Sequence, residues 1–103
     1  MEINAADFEK RLAQPQEINI LDVREAIEFH TYNIGGNNLP LSKLYENINH
    51  INYNKTDEII VICKAGIRSK TAQVILLQNG FQNVKNLTGG LLAMQRLQQS
   101  TTI

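Results

Sequence analysis

The run Ile59-Ile60-Val61-Ile62 constrains the fold more than any other feature of the chain. Four consecutive β-branched apolar residues offer water no polar face, so a strand built from them has to be covered on both sides. Such a strand belongs in the middle of a parallel sheet with helices above and below it. It runs directly into Cys63, the one cysteine of the sequence.

The flanking segments supply the cover. Asn4-Ala5-Ala6-Asp7 predicts a helix start with Asn4 as N-cap, and Phe8 and Leu12 follow at helical spacing before Pro15. Residues 18–23 read as a short strand and 24–29 as a short helix, after which Ile34-Gly35-Gly36 breaks regular structure. Ser42 is placed to cap a helix carrying Leu44, Tyr45 and Ile48. A longer helix is predicted from Ser69, ended by Gly80; residues 84–87 form a strand, Thr88-Gly89-Gly90 a turn and residues 91–97 a last helix. Strands alternating with helices predict one α/β domain with a mostly parallel central sheet flanked by helices on both faces. The 103 residues suit a single domain, with its core over about 4–97 and a frayed end over 98–103.

Ten basic residues balance ten acidic ones, which argues against a nucleic-acid partner held by a general basic surface. No apolar run reaches the roughly 20 residues needed to cross a bilayer, and the N-terminal residues do not read as a secretion signal, so no membrane partner is expected. One cysteine makes no internal disulfide, and with only His30 and His50 beside it no metal site is expected. A reducing cytoplasm is the expected location.

Cys63 therefore carries the chemical interest. Ligands of open α/β sheets bind beyond the carboxyl ends of the strands, where Cys63 stands. The residues Lys64, Ala65, Gly66, Ile67 and Arg68 separate it from Ser69, read here as the N-cap of the next helix. A loop this short has to curl around the thiol. Gly66 permits positive φ inside the curl, and successive N–H groups then form a nest for negative charge. The helix N-terminus and the cations Lys64 and Arg68 add to it, and all of these lower a thiol pKa. The competing reading, a structural cysteine ending a core strand, does not account for the glycine, the two cations and the helix start that follow it.

The set of motifs resembles the rhodanese domains over about residues 7–97. Leu21-Asp22-Val23-Arg24-Glu25 followed by Glu28-Phe29, the segment from Gly36 through Leu39-Pro40-Leu41, the loop from Cys63 to Ser69, and Leu87-Thr88-Gly89-Gly90 with Ala93 stand in the family's order. Two positions depart from the common pattern. Tyr32-Asn33-Ile34 replaces a Gly-His-Ile stretch, giving an Asn-Ile-Gly-Gly form similar to rhodanese domains fused to adenylating enzymes, and Met94 stands where a tryptophan is frequent. The resemblance implies a sulfurtransferase that needs no cofactor. Cys63 would take the outer sulfur of a small donor such as thiosulfate as a persulfide and pass it to cyanide, a thiol or a protein. The loop N–H groups would hold the sulfur, and Arg68 and Lys64 the donor's oxygens.

Asp22 and Arg24 are expected to support the loop architecture rather than reach the sulfur, with Arg24 also spaced to pair with Glu28. His30 and His50 are expected at the surface, and Gly89-Gly90 lacks the remaining pattern of a phosphate loop. Two other function classes stay open beside free-standing sulfur transfer. One is a relay passing persulfide sulfur from a protein donor to a protein acceptor. The other is phosphatase or arsenate reductase chemistry, disfavoured because only four residues separate Cys63 from Arg68 and none of them is acidic.

Overall fold

The computed structural model describes residues 1–100. Five parallel strands form one sheet in the order β1-β5-β4-β2-β3, where β1 is Glu2–Ile3, β2 Asn19–Asp22, β3 Asn37–Asn38, β4 Glu58–Ile62 and β5 Asn83–Leu87. The apolar run is β4, central and flanked by β5 and β2, as its lack of a polar face requires. Strand alternation divides its side chains between two cores. Ile59, Val61 and Cys63 pack with Leu21, Val23, Leu44, Ala72 and Leu76 on one face. Ile60 and Ile62 pack with Phe8, Leu87, Leu91 and Met94 on the other. Cys63 thus continues the period of β4 and points under the helix that follows it.

The helices are α1 (Ala5–Leu12), α2 (Ala26–Thr31), α3 (Leu41–Leu44), α4 (Ile67–Gln78) and α5 (Gly90–Ser100). Helices α1 and α5 pack together on one face, and α3 and α4 on the other. Asn4 caps α1, its side-chain oxygen accepting the Asp7 N–H at 2.8 Å. None of the helices of the described residues is long and apolar enough to cross a membrane.

Several expectations need correction. Ser42 caps nothing: α3 begins one residue earlier behind Pro40, passes into a 3-10 turn over Tyr45–His50, and leaves the Ser42 hydroxyl on the Glu25 carboxylate at 3.2 Å. Proline fixes φ in the helix-compatible range, −53° at Pro40, and lacks an N–H to satisfy, so it opens a helix without a side-chain cap. Gln98–Ser100 continue α5 instead of fraying, and residues 101–103 lie outside the described residues. The strands β1 and β3 are two residues each, too short to show alternation in sequence.

Because the sheet is parallel, the loops after β2, β4 and β5 meet at one edge. The loop after β2 is fixed by a buried ion pair. Arg24 Nη2 donates to Asp22 Oδ2 at 2.7 Å and Nε to both carboxylate oxygens, while the Arg24 N–H closes onto Oδ1 at 3.0 Å. The same guanidinium reaches the carbonyls of Glu28 at 3.4 Å and Tyr32 at 2.7 Å, tying α2 to the sheet. Every polar edge of this buried pair has a partner, which is the condition under which burial of charge is tolerated. Arg24→Leu strands the Asp22 carboxylate, so urea unfolding should show a loss of about 3–5 kcal/mol. A loss below about 1 kcal/mol, the range of an exposed pair, would mean that water solvates Asp22.

Candidate active site

Cys63 is 1% exposed, and its sulfur sits at the centre of the short loop. Sγ accepts the Gly66 N–H at 3.1 Å and the Ser69 N–H at 3.4 Å, with the Ser69 hydroxyl at 3.3 Å. Two features outside the loop hold its first residues in place. The first N–H groups of α5 take the loop's carbonyls: Leu91 N–H donates to Cys63 O and Leu92 N–H to Lys64 O, both at 3.0 Å. In a trans peptide the C=O and the N–H point opposite ways, so anchoring the Lys64 carbonyl outward turns the Ala65 N–H inward. The second feature is Gly90, the residue that lets α5 approach. A Cβ there would lie 2.5 Å from the Cys63 and Lys64 carbonyl oxygens, so only glycine fits. Within the loop, Gly66 has φ of 89°, the left-handed turn that brings its own N–H onto the sulfur.

Burial pushes the Cys63 thiol up, and hydrogen bonds from the Ser69 hydroxyl and the Ser69, Gly66 and Ala65 N–H groups outweigh it, leaving the pKa below the ordinary thiol value. The expected contribution of Lys64 and Arg68 is not among these causes. Lys64 is exposed, and among the described residues its ammonium makes no ion pair or hydrogen bond. Arg68 is committed elsewhere: Nη1 and Nη2 donate to the two carboxylate oxygens of Glu28 at 2.6 and 2.9 Å. Glu28 is therefore not the partner of Arg24, which reaches only its carbonyl.

Ser69 is not an N-cap. The helix starts two residues before it, at Ile67 behind Gly66, so Ser69 falls in the first turn and points inward. Its hydroxyl donates to Asn86 Oδ1 at 2.5 Å, while Asn86 Nδ2 donates to Glu2 Oε1 at 3.0 Å and to Gly66 O at 3.3 Å. Those two acceptors fix which end of the amide faces Ser69. A hydroxyl has one proton, so Ser69 donates either to Asn86 or to the sulfur, not to both at once. Asn86 was not singled out from sequence. Its signal is positional: it shares the inward phase of β5 with Val84, where a buried polar side chain needs a partner.

An open cleft of about 370 Å³ lies beside the loop between α2 and the start of α5, with Ile27, Lys64, Leu91 and Leu92 in its walls. The Cys63 sulfur is not part of its lining. His30 and His50 are exposed, as expected.

Comparison with known proteins gives the family. Residues 4–97 match the model of the rhodanese-like domain. The candidate sulfur carrier protein YrkF of Bacillus subtilis is 35% identical over 91 residues, which cover 87% of this chain and 48% of that protein. A sulfurtransferase of Allochromatium vinosum is 29% identical over 96 residues, covering 92% of this chain and 88% of its own. Among solved structures, a protein from Staphylococcus saprophyticus superposes with a TM-score of 0.80 at 30% identity, covering 91% of this chain and 93% of that one. The chain belongs to the rhodanese-like sulfurtransferase family. It spans about half the length of the Bacillus relative and most of the Allochromatium one.

The hydrogen-bond account of the thiol makes a direct prediction. Removing the hydroxyl in Ser69→Ala takes away a donor that favours the thiolate, so the thiol pKa rises. The pH midpoint of Cys63 alkylation by iodoacetamide should move to higher pH in this variant. An unmoved midpoint would assign the thiolate's stabilisation to the backbone alone.

Proposed function

We propose that this protein is a sulfurtransferase in which Cys63 carries sulfane sulfur as a persulfide, taken from a small donor or a protein and passed to a thiophilic acceptor. The observation that carries the reading is the convergence of the Gly66 and Ser69 N–H groups and the Ser69 hydroxyl on Sγ within 3.4 Å. Such a cradle stabilises a thiolate and equally a persulfide anion, which has the same charge one bond further out. The roles of Lys64, Ala65, Gly66, Ile67, Arg68 and Ser69 follow as loop-forming and sulfur-holding, with Asp22 and Arg24 fixing the neighbouring loop.

With thiosulfate the first step balances simply. The Cys63 thiolate attacks the outer sulfur, the bond from that sulfur to the sulfonate breaks, and sulfite leaves with the electron pair. A nucleophile such as cyanide then attacks the terminal sulfur of the persulfide and regenerates the thiolate. No proton has to be moved by a general base, which agrees with the surface position of both histidines.

A second reading, transfer between proteins, draws support from the surface around the loop. Ile67 and Ile27 are 77% and 76% exposed, and each immediately precedes one member of the Arg68–Glu28 pair. Two large apolar side chains beside a reactive loop suit a protein donor or acceptor better than a small anion. Cytoplasmic location remains part of this proposal.

Cys63→Ser should reduce thiocyanate formation to background while preserving the thermal melt. Intact mass after treatment with a sulfur donor should rise by about 32 Da, reversed by a thiol. Wild-type turnover with no such adduct under any donor would remove the persulfide, and hydrolysis of a phosphate ester at a comparable rate would favour phosphatase chemistry instead.

A further inference from the structure

We propose that Glu28 selects the sulfur donor: by occupying the Arg68 guanidinium it disfavours donors bearing anionic oxygens and favours persulfides carried on an organic or protein thiol. The inference rests on the reading of Cys63 as a persulfide carrier and specifies the donor class for that site.

A thiolate at Cys63 favours the protonated Arg68 guanidinium, so the arginine stands within electrostatic reach of the sulfur. Both of its terminal nitrogens already hold carboxylate oxygens, at 2.6 and 2.9 Å. That is the bidentate fit a sulfonate would need from the same fork. Thiosulfate therefore finds the site filled by an internal anion with matching geometry.

Glu28 is also unable to swing aside freely. Its Oε1 accepts the Glu25 N–H at 3.1 Å, which closes the capping box of α2. The backbone behind it is held by Arg24, whose guanidinium bonds the Glu28 and Tyr32 carbonyls and the buried Asp22. The pair is only partly exposed, at 36% for the Arg68 side chain and 31% for Glu28, so solvent screens it incompletely. With Arg68 as the main cause, the Glu28 pKa is held at about 2, so the carboxylate is charged at any working pH. A donor dianion approaching the loop meets this fixed negative charge and gains little from the neutralised arginine.

A thiol-borne persulfide, R–S–SH, has no such requirement. The Cys63 thiolate attacks its outer sulfur, the S–S bond breaks, R–S⁻ leaves, and the proton travels with the transferred sulfur. Neither step needs Arg68 to be free. Lys64 is the remaining uncommitted cation beside the loop, and it stands in the wall of the cleft with Leu91 and Leu92. It is the rival site for donor oxygens.

The test compares thiosulfate with 2-hydroxyethyl persulfide as donors to the full chain, with cyanide as acceptor. Glu28→Gln keeps a side-chain oxygen for the cap and removes the charge. It should raise the ratio of kcat/KM for thiosulfate to that for the persulfide by roughly tenfold, expressed in the thiosulfate KM. The gain should vanish in Glu28→Gln/Arg68→Ala and persist in Glu28→Gln/Lys64→Ala. An unchanged ratio, an equal fall with both donors, or dependence on Lys64 in place of Arg68 would each overturn the proposal. Glu28→Ala serves if the glutamine variant is recovered unfolded, and failure of both to fold makes Glu28 a fold residue and ends the idea. Loading of Cys63 from the persulfide is read separately by mass. Absence of loading from every donor overturns the carrier reading, whereas loading with an unchanged ratio overturns donor selection alone.

Discussion

The contact between the start of α5 and the loop after β4 is the interaction on which the rest of the site depends. Two N–H groups at a helix N-terminus always need acceptors, and here Leu91 and Leu92 find them in the Cys63 and Lys64 carbonyls. Satisfying the helix end points these two carbonyls away from the sulfur, and in the Lys64–Ala65 peptide planarity then turns the Ala65 N–H toward it. Gly90 makes the approach possible, because any Cβ at that position would collide with the same two carbonyl oxygens. The glycine pair that reads in sequence as a plain turn is thus what sets the geometry of a loop about 25 residues earlier.

The second support comes from the other side of β4. The Asp22–Arg24 pair fixes the loop after β2, and through the Glu28 and Tyr32 carbonyls it fixes α2. The position of α2 decides where the Glu28 carboxylate stands, and Glu28 holds Arg68. A buried charge pair thereby sets the electrostatics of the candidate site without either member approaching the sulfur. The sequence reading of Asp22 and Arg24 as structural agrees with these contacts, although the route by which they act was not visible in it.

What was legible followed from local pattern. The β4 run, the curl implied by Gly66 and the Asn4 cap each depend on a few neighbouring residues, and each has the expected geometry. What was not legible depends on partners far apart in the chain. Ser69 resembles a cap because serine before an apolar periodic stretch usually is one; its actual partner, Asn86, lies on another strand, 17 positions away. Lys64 and Arg68 resemble a matched pair of cations beside the thiol. Glu28, 40 positions from Arg68, neutralises one of them, and no short-range signal distinguishes that outcome from a free arginine. Strands of two residues, β1 and β3, hold too little sequence to carry any period.

Burial and reactivity of Cys63 pull in opposite directions, and the fold reconciles them by position. Burial alone would keep the thiol protonated, while the inward N–H groups and the Ser69 hydroxyl tip it toward the thiolate. The cost is access, because a cysteine 1% exposed is a poor target for a bulky partner. In the proposed mechanism a persulfide would relieve that cost, since its terminal sulfur stands one S–S bond of about 2 Å beyond Sγ. The acceptor would then attack that terminal sulfur, with Sγ as the leaving group, favoured by the same hydrogen bonds that stabilise it as a thiolate. On that proposal, a cradle that holds the carrier atom tightly would assist both halves of the transfer, and the Glu28-filled Arg68 fork would weigh against a small oxyanion donor more than against a thiol-borne persulfide.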